Sequence, residues 1–180
     1  SAPWSAQDPA EKLPADREWS ARHEEGRALE IGAGPFLMTG TGAGLMAGGT
    51  PFVVIEVTKG VFVRPALLFG RSLPSSGPDA SLAATRLDAC LRVAGLYTNR
   101  NGMQLDLCGG ADVGVLLDAG PTAPYVAFGP SLDLRGELGG DLAAVLRGLF
   151  DVNAVQEHGD LLDTPLWAGR VELAMSWRLR

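Results

Sequence analysis

The sequence lacks the features that mark several protein classes. Its 180 residues carry no excess of positive charge, because 15 Lys and Arg oppose 21 Asp and Glu, and we expect no nucleic-acid partner. There is no Gly-X-Y period, which excludes a collagen-like protein. There is no run of about 18 apolar residues, which excludes a transmembrane helix. A transmembrane β-barrel is not excluded, because its strands alternate between apolar and polar residues.

What the sequence does contain is a pattern of alternating residues from Leu29 onward. Residues 167–179 show it most clearly, because every charge falls on one face and the large apolar side chains fall on the other. A period of two is the signature of a β-strand. We predict eight strands, at residues 29–38, 45–57, 61–71, 82–97, 103–117, 125–135, 142–152 and 167–179.

The connections between these strands alternate in length. Three of them, on one rim, are tight and polar: Lys59-Gly60, Asn99–Gly102 and Gly136–Asp141. Those on the other rim tend to be longer, which is typical of an up-and-down antiparallel barrel. We therefore predict an all-β protein with an eight-stranded barrel at residues 28–180, preceded by a polar segment at residues 1–27.

The charged face shows the properties of a lumen, as in a membrane barrel, rather than those of a solvated exterior, as in a soluble barrel. It carries many small residues, which suit a crowded interior. Its eight acids and seven bases nearly cancel, and all the bases are Arg, the residue suited to buried bidentate pairing. We expect a lumenal ion-pair network formed by Glu30, Glu56, Arg64, Arg86, Asp88, Arg92, Asp106, Asp112, Asp133, Arg135, Arg147, Asp151, Arg170, Glu172 and Arg178.

Large aromatic residues on the apolar face lie near strand ends, where membrane barrels carry their interfacial girdles. The expected interfacial residues are Phe69, Tyr97, Phe150, Trp167 and Trp177.

Three prolines within the predicted strands oppose a closed barrel, which has no edge to accommodate a missing N–H group. They are Pro35, Pro65 and Pro130, and we interpret them as bulges or rim positions.

With these residues in view, the chain resembles the small eight-stranded outer-membrane β-barrels of Gram-negative bacteria, of OmpA-like and OmpX-like architecture. The resemblance covers residues 29–180 and rests on the strand count, the loop asymmetry and the alternation of the last strand, which serves as an assembly signal in that family. The chain departs from the family at Leu179-Arg180, which replaces the usual terminal aromatic residue. Its Gly-, Ala-, Leu- and Arg-rich texture also looks like that of myxobacterial barrels.

The resemblance implies a location and partners. It places the protein in the bacterial outer membrane, in contact with outer-membrane lipid. Because an even number of strands puts both chain ends on one side, residues 1–27 are expected in the periplasm, where they could bind a protein partner.

The two cysteines fall in neighbouring predicted strands. Cys90 and Cys108 flank the Asn99–Gly102 turn almost symmetrically, and both belong to the polar face. Cross-strand neighbours in favourable register are close enough for a disulfide. We predict a lumenal disulfide between them, whereas a register shifted by two residues would leave two free thiols.

We expect a structural or interaction component of the cell envelope, with a lumen closed by its ion pairs, rather than an enzyme. No cofactor, metal or catalytic residue is predicted. His158 lies in the longest connection beside Glu157 and Asp160, with no Ser nearby in sequence and no metal-ligand spacing. Two alternatives stay open, a lipid-modifying outer-membrane enzyme and a soluble ligand-binding β-barrel.

Overall fold

Eight antiparallel strands form a closed barrel. The computed structural model describes residues 29–77, 79–93, 103–118, 122–154 and 165–179. Each strand pairs with the next along the chain, and the last pairs with the first. The strands are β1 (Leu29–Thr39), β2 (Met46–Thr58), β3 (Val61–Ser72), β4 (Ala80–Arg92), β5 (Met103–Asp118), β6 (Ala123–Gly139), β7 (Leu142–Asn153) and β8 (Trp167–Leu179).

The predicted up-and-down barrel is confirmed, and the predicted polar segment at residues 1–27 lies outside the described residues. Across the described ranges, no helix is long and apolar enough to cross a membrane.

β4 is described from Ala80 to Arg92, and the N–H of Val93 still donates to the carbonyl of Leu105 at 3.0 Å. The predicted continuation of this strand over residues 94–97 lies outside the described residues. The predicted turn at Asn99–Gly102 lies outside the described residues.

β6 is longer than predicted. It continues past residue 135 to Gly139, because Glu137 still pairs with Ala143 before the register shifts. The reversal into β7 uses Gly139 and Gly140, whose φ angles are 131° and 60°. Glycine adopts positive φ at little cost, so the two glycines allow the tight reversal that ends this longer hairpin.

The two rims of the barrel differ. β1 begins and β8 ends at one rim, which we call the N-terminal rim, and the turns at Lys59-Gly60 and Gly140-Asp141 also lie there. The opposite rim, which we call the loop rim, joins the other strand ends. Its connections are residues 40–45, 73–79, 119–122 and 154–166.

Side chains alternate between the lumen and the outer surface along each strand. On β8, Leu173 faces outward and is 59% exposed, whereas its neighbour Glu172 faces inward and is 1% exposed. The large exposed side chains are apolar, and most of the charged side chains of the strands are buried in the lumen. This polarity is the reverse of that of a soluble protein and is the arrangement of a barrel surrounded by lipid. It rules against the alternative of a soluble barrel.

Strand prolines lie where the hydrogen-bonded ladder to one neighbour is interrupted. Pro35 pairs with β2, but the β1–β8 register skips it together with Gly34. Pro130 pairs with β5, but the β6–β7 register skips it together with Gly129. Pro65 pairs with β4 and is skipped on its β2 side. Each missing N–H therefore falls on a side with a gap in the ladder, in mid-strand rather than at the rims.

Inward-facing glycines allow neighbouring backbones to approach closely. A Cβ atom at Gly129 would lie 2.0 Å from the carbonyl oxygen of Phe150, and one at Gly34 would lie 2.1 Å from that of Leu173. These carbonyls belong to the adjacent strand, which cannot move aside like a flexible side chain. The small residues of the charged face are thus required by the curvature of the wall as well as by crowding in the lumen.

Candidate functional site: the charged lumen

Twelve charged side chains are buried in the lumen, and the alternation of the strands directs them there. Their residues are 7% exposed or less. They are the seven acids Glu30, Asp88, Asp106, Asp112, Asp133, Asp151 and Glu172, and the five bases Arg64, Arg86, Arg135, Arg147 and Arg170. Arg92 and Arg178 complete the set at the N-terminal rim, with 23% and 32% of their side chains exposed. The lumen therefore holds seven acids and seven bases.

One group of ion pairs crosses the middle of the barrel. Arg64 of β3 binds Asp133 of β6 at 3.1 Å and Glu172 of β8 at 2.8 Å. Arg147 of β7 binds Asp88 of β4 at 2.8 Å and Asp133 at 2.6 Å. Most of these pairs join strands that are not neighbours in the wall, so they span the lumen.

A second group is centred on Arg86 of β4. Its guanidinium binds three carboxylates, those of Asp88 at 2.7 Å, Asp112 at 3.0 Å and Asp151 at 3.1 Å. Arg170 of β8 binds Asp112 at 3.3 Å. Because Asp88 also binds a base of the first group, the two groups form one continuous network.

The N-terminal rim holds the remaining pairs. Arg135 of β6 binds Glu30 of β1, and Arg178 of β8 lies 3.5 Å from the same carboxylate. Arg92 and Asp106 are 3.6 Å apart, and Gln104 donates a hydrogen bond to Asp106 at 2.7 Å. The pairs of Arg92 and Arg178 are longer and partly exposed, whereas the pair of Arg135 with Glu30 is buried, and together they lie where the chain enters and leaves the barrel.

Glu56 is the exception among the predicted network residues. Its Oε1 accepts a hydrogen bond from the N–H of Gly60 at 3.2 Å, across the turn between β2 and β3. It forms no ion pair with any residue in the described part of the chain. The structure brings the other fourteen predicted residues into ion pairs.

Apolar clusters share the lumen with the network, and sequence reasoning missed them. Towards the loop rim a cluster of buried residues fills the lumen: Phe36, Met38, Met46, Leu68, Leu82, Leu116 and Tyr125, with several alanines. Two smaller clusters, built around Phe52 and Phe62, lie among the charged residues in the half of the lumen nearer the N-terminal rim. Runs such as Pro35–Met38 and Phe52–Ile55, which are apolar on both faces, are the signal that could have revealed them.

Three aromatic rings of the apolar clusters contact guanidinium groups of the network. The guanidinium carbon of Arg64 lies 4.2 Å from the ring centroid of Phe52, that of Arg92 lies 5.7 Å from Phe62, and that of Arg170 lies 5.9 Å from Phe36. Such cation–π contacts stabilise a desolvated guanidinium. β1, β2 and the start of β3 thus contribute these rings, and β1 and β3 also contribute Glu30 and Arg64 to the network.

The predicted disulfide is present. Cys90 and Cys108 stand directly opposite one another in the β4–β5 register, and their sulfur atoms are bonded. Both face the lumen and pack against Phe62. The two-residue register shift that would have left free thiols does not occur.

The β1–β2 connection turns into the mouth of the barrel at the loop rim. Thr41 and Ala43 have no exposed surface, and the hydroxyl of Thr41 contacts the sulfur of Met46 at 3.3 Å. Asn153 of β7 holds this connection in place, because its amide donates to the carbonyl of Gly40 at 2.7 Å. The described part of this mouth is therefore occupied by the protein's own chain.

The predicted interfacial aromatics lie on the outer surface where they are described. Phe69, Phe150, Trp167 and Trp177 are 51–57% exposed, and Tyr97 lies outside the described residues. Phe150 and Trp167 stack with their ring centroids 4.9 Å apart. Trp167 begins β8 at the loop rim and Trp177 nears its end at the N-terminal rim.

An exposed ion pair lies beyond the network at the loop rim. Asp79 accepts hydrogen bonds from the Nε and an Nη of Arg71, at 3.0 and 2.8 Å. These bonds, with the charge of the same guanidinium, hold the pKa of the Asp79 carboxyl below its usual range.

Two solved structures share this architecture. Neisserial surface protein A superposes with a TM-score of 0.59 at 9% sequence identity, over 86% of this chain and 100% of that chain. A major outer membrane protein from Thermus thermophilus superposes with a TM-score of 0.62 at 13% identity, over the same shares. The fold is that of a small outer-membrane β-barrel. No protein family and no curated protein sequence matches the chain, so the likeness is one of fold.

In this outer-membrane-type barrel, the buried charged side chains of the described residues form ion pairs. Those residues include no His, since His23 and His158 both lie outside them. They form no group of three or more His, Cys, Asp or Glu able to hold a metal ion. The lumenal carboxylates are instead bound to guanidinium groups, which do not lose their protons at physiological pH.

Proposed function

We propose that this protein is a barrel of the bacterial outer membrane that conducts no ions and acts as a structural or interaction component of the envelope. One observation carries the proposal: the ion-pair network spans the lumen, and an apolar cluster fills the lumen towards the loop rim. The apolar outer surface would contact outer-membrane lipid. The likeness in fold to the two outer-membrane proteins supports the location.

The size of the lumen supports a plugged barrel. An eight-stranded barrel has an interior just wide enough for side chains to fill. A lumenal cavity beside Arg64, Asp133 and Arg135 has a volume of about 20 Å³, and about 10–15 Å³ of such volume holds one water molecule. This cavity by itself would hold about one or two water molecules.

Conductance across a planar lipid bilayer tests the plug. We expect the wild-type barrel to give no steady ionic current. The double substitution R64A/R147A removes two large side chains that span the lumen, and we expect current from it if the barrel still closes. The substitution L173A, on the outer face, is the matched control and should give no steady ionic current. A steady wild-type current would contradict the proposal.

A role in interaction would involve residues 1–27, the segment that precedes β1. Because β1 begins at the N-terminal rim, which carries the short turns typical of the periplasmic side, this segment would enter the periplasm. It contains ten charged residues and three large apolar ones, Trp4, Leu13 and Trp19, that could bind a protein surface.

Deletion of residues 1–27 tests this role. We expect the truncated barrel to insert and to keep the difference in gel mobility between unheated and boiled samples. We expect it to lose a specific cross-linked adduct formed by the full chain in intact cells. The variant W4A/W19A keeps the segment and its charges, and should lose the adduct too. An adduct that survives the deletion would contradict the proposed docking role.

The alternative of a lipid-modifying enzyme rests on His158. Under the proposal, H158A leaves the lipid A and phospholipid profiles of the membrane unchanged. A changed profile in H158A would favour the enzyme.

A further inference from the structure

The disulfide between Cys90 and Cys108 lies where a protein oxidant cannot reach it in the closed barrel. The two residues are 2% and 4% exposed and face the lumen. They are 18 positions apart in the sequence and directly opposite in the β4–β5 hairpin. The bond is therefore local in the chain but buried in the folded protein.

The neighbouring strands cover the disulfide on both sides. Phe62 of β3 stands in register with Cys90, and Ser131 of β6 stands in register with Cys108. Both neighbours are buried, at 5% and 3% exposure. Because these strands are hydrogen-bonded to the hairpin, no opening through the wall leads to the sulfur atoms.

The network covers the disulfide towards the N-terminal rim. The next inward-facing pair in the hairpin is Arg92 and Asp106, whose charged groups are 3.6 Å apart. The guanidinium of Arg92 also lies over the ring of Phe62. A reagent of protein size would have to displace these side chains to approach the sulfur atoms from the periplasm.

The chemistry of disulfide formation requires such an approach. One cysteine thiolate attacks a disulfide of the oxidant, forms a mixed disulfide and releases one thiolate of the oxidant. The second cysteine thiolate then attacks the mixed disulfide, which closes the Cys90–Cys108 bond and releases the second thiolate. The two cysteines lose two electrons and two protons, and the oxidant becomes a dithiol.

We propose that a thiol–disulfide oxidoreductase of the periplasm oxidises Cys90 and Cys108 before the barrel closes. The β4–β5 hairpin is the substrate, and closure of the other strands around it then protects the bond. The proposal goes beyond the proposed function and does not depend on it, because it concerns the order of two steps in the formation of the barrel.

The test compares one oxidant on two states of the reduced chain. The chain is reduced, then kept unfolded in urea or folded into lipid vesicles, and a purified thioredoxin-fold oxidoreductase in its oxidised form is added. Free thiols are counted on a gel after denaturation and reaction with a maleimide polymer. We expect the folded state to react slower by about a hundredfold or more, because reaction requires a rare opening of the barrel. Equal rates in the two states would overturn the proposal.

A matched control shows that the oxidant can act on a folded barrel. In a C90A/C108A background, the substitutions R71C and S81C place a cysteine pair in the β3–β4 register at the loop rim. Arg71 is exposed there and Ser81 is partly exposed. We expect this pair to be oxidised at similar rates in the folded and unfolded states.

The reverse reaction keeps the proposal testable if the reduced chain does not fold. The oxidised barrel, folded or unfolded in urea, is treated with the same oxidoreductase in its dithiol form. We expect the folded barrel to keep its disulfide while the unfolded chain loses it. Reduction of the folded barrel at the rate of the unfolded chain would overturn the proposal.

Discussion

Replacement of Arg86 by methionine is the sharpest test of the lumenal network. The guanidinium binds three carboxylates, and its side chain has no exposed surface. Two of these acids keep another base in the variant, since Asp88 binds Arg147 and Asp112 binds Arg170. Asp151 keeps none among the described residues and would be left buried and unpaired.

The magnitude follows from the cost of an unpaired buried charge. Removing one partner of a buried pair typically costs about 3–5 kcal/mol, and we expect R86M to lose that much unfolding free energy. The substitution also changes the balance in the lumen from seven acids and seven bases to seven and six. Methionine fills much of the same volume, so the loss would come from charge rather than from a cavity.

The double variant R86M/D151N separates charge from packing. It restores equal numbers of acids and bases, six of each, and removes the one acid that R86M leaves unpaired. We expect it to recover much of the stability, with a coupling energy of about 2–3 kcal/mol between the two sites. D151N alone should cost less than R86M, because Arg86 keeps two carboxylates in that variant.

The assay is reversible unfolding by urea in phospholipid vesicles, followed by tryptophan fluorescence. The mobility of unheated samples on a gel shows that each variant forms a closed barrel. R71M is the control, because it removes the same side chain from an exposed pair at the loop rim, and such pairs contribute little to stability. An R86M loss no larger than that of R71M, or no recovery in R86M/D151N, would refute the reasoning.

Three further substitutions test the wall and the loop rim. G129A should destabilise the barrel by about 2–3 kcal/mol or prevent folding, because its Cβ would lie 2.0 Å from a carbonyl oxygen. G148A, which faces outward with nothing within 4 Å of its Cβ, should leave the urea midpoint unchanged or raise it. The carboxyl of Asp79 should titrate below the usual aspartate range in a ¹³C NMR experiment, and R71A should raise the midpoint to that range, since the bonds from Arg71 favour the ionised form. The ion pair between Arg71 and Asp79 stabilises the folded state at pH values above the usual aspartate pKa. This stabilisation is lost as the pH falls through the lowered pKa of Asp79. An unshifted midpoint in R71A would contradict this cause.

The sequence predicted the structural features that depend only on neighbouring residues within one strand or within one hairpin. The alternation at residues 167–179 marked β8 at both ends, and the spacing of Cys90 and Cys108 around a turn predicted their register. Both features follow from the period of two and from the pairing of adjacent strands. They require no knowledge of the closed barrel.

Features that depend on the cross-section of the barrel could not be predicted from the sequence. That Arg64 binds Glu172, five strands further along the chain, depends on the stagger and diameter of the barrel, which alternation does not report. The inward positions of Phe36 and Phe52 were missed because their strands are apolar on both faces. Glu56 belongs to the same face of its strand as the network residues, but it lies near the end of β2. There its carboxylate accepts a hydrogen bond from the N–H of Gly60 in the turn instead of pairing with an arginine.

The partners in the network are far apart in sequence, and this has a consequence for how the protein enters the membrane. Glu30 in the first strand pairs with Arg135 in the sixth, and Arg64 in the third strand pairs with Glu172 in the last. An open sheet in lipid could not bring its opposite walls together, so these cross-lumen pairs would stay unformed until the barrel closed, at a cost of several kcal/mol for each unpaired ion. Intermediates with a partial set of strands are therefore penalised, and insertion should be a single concerted event.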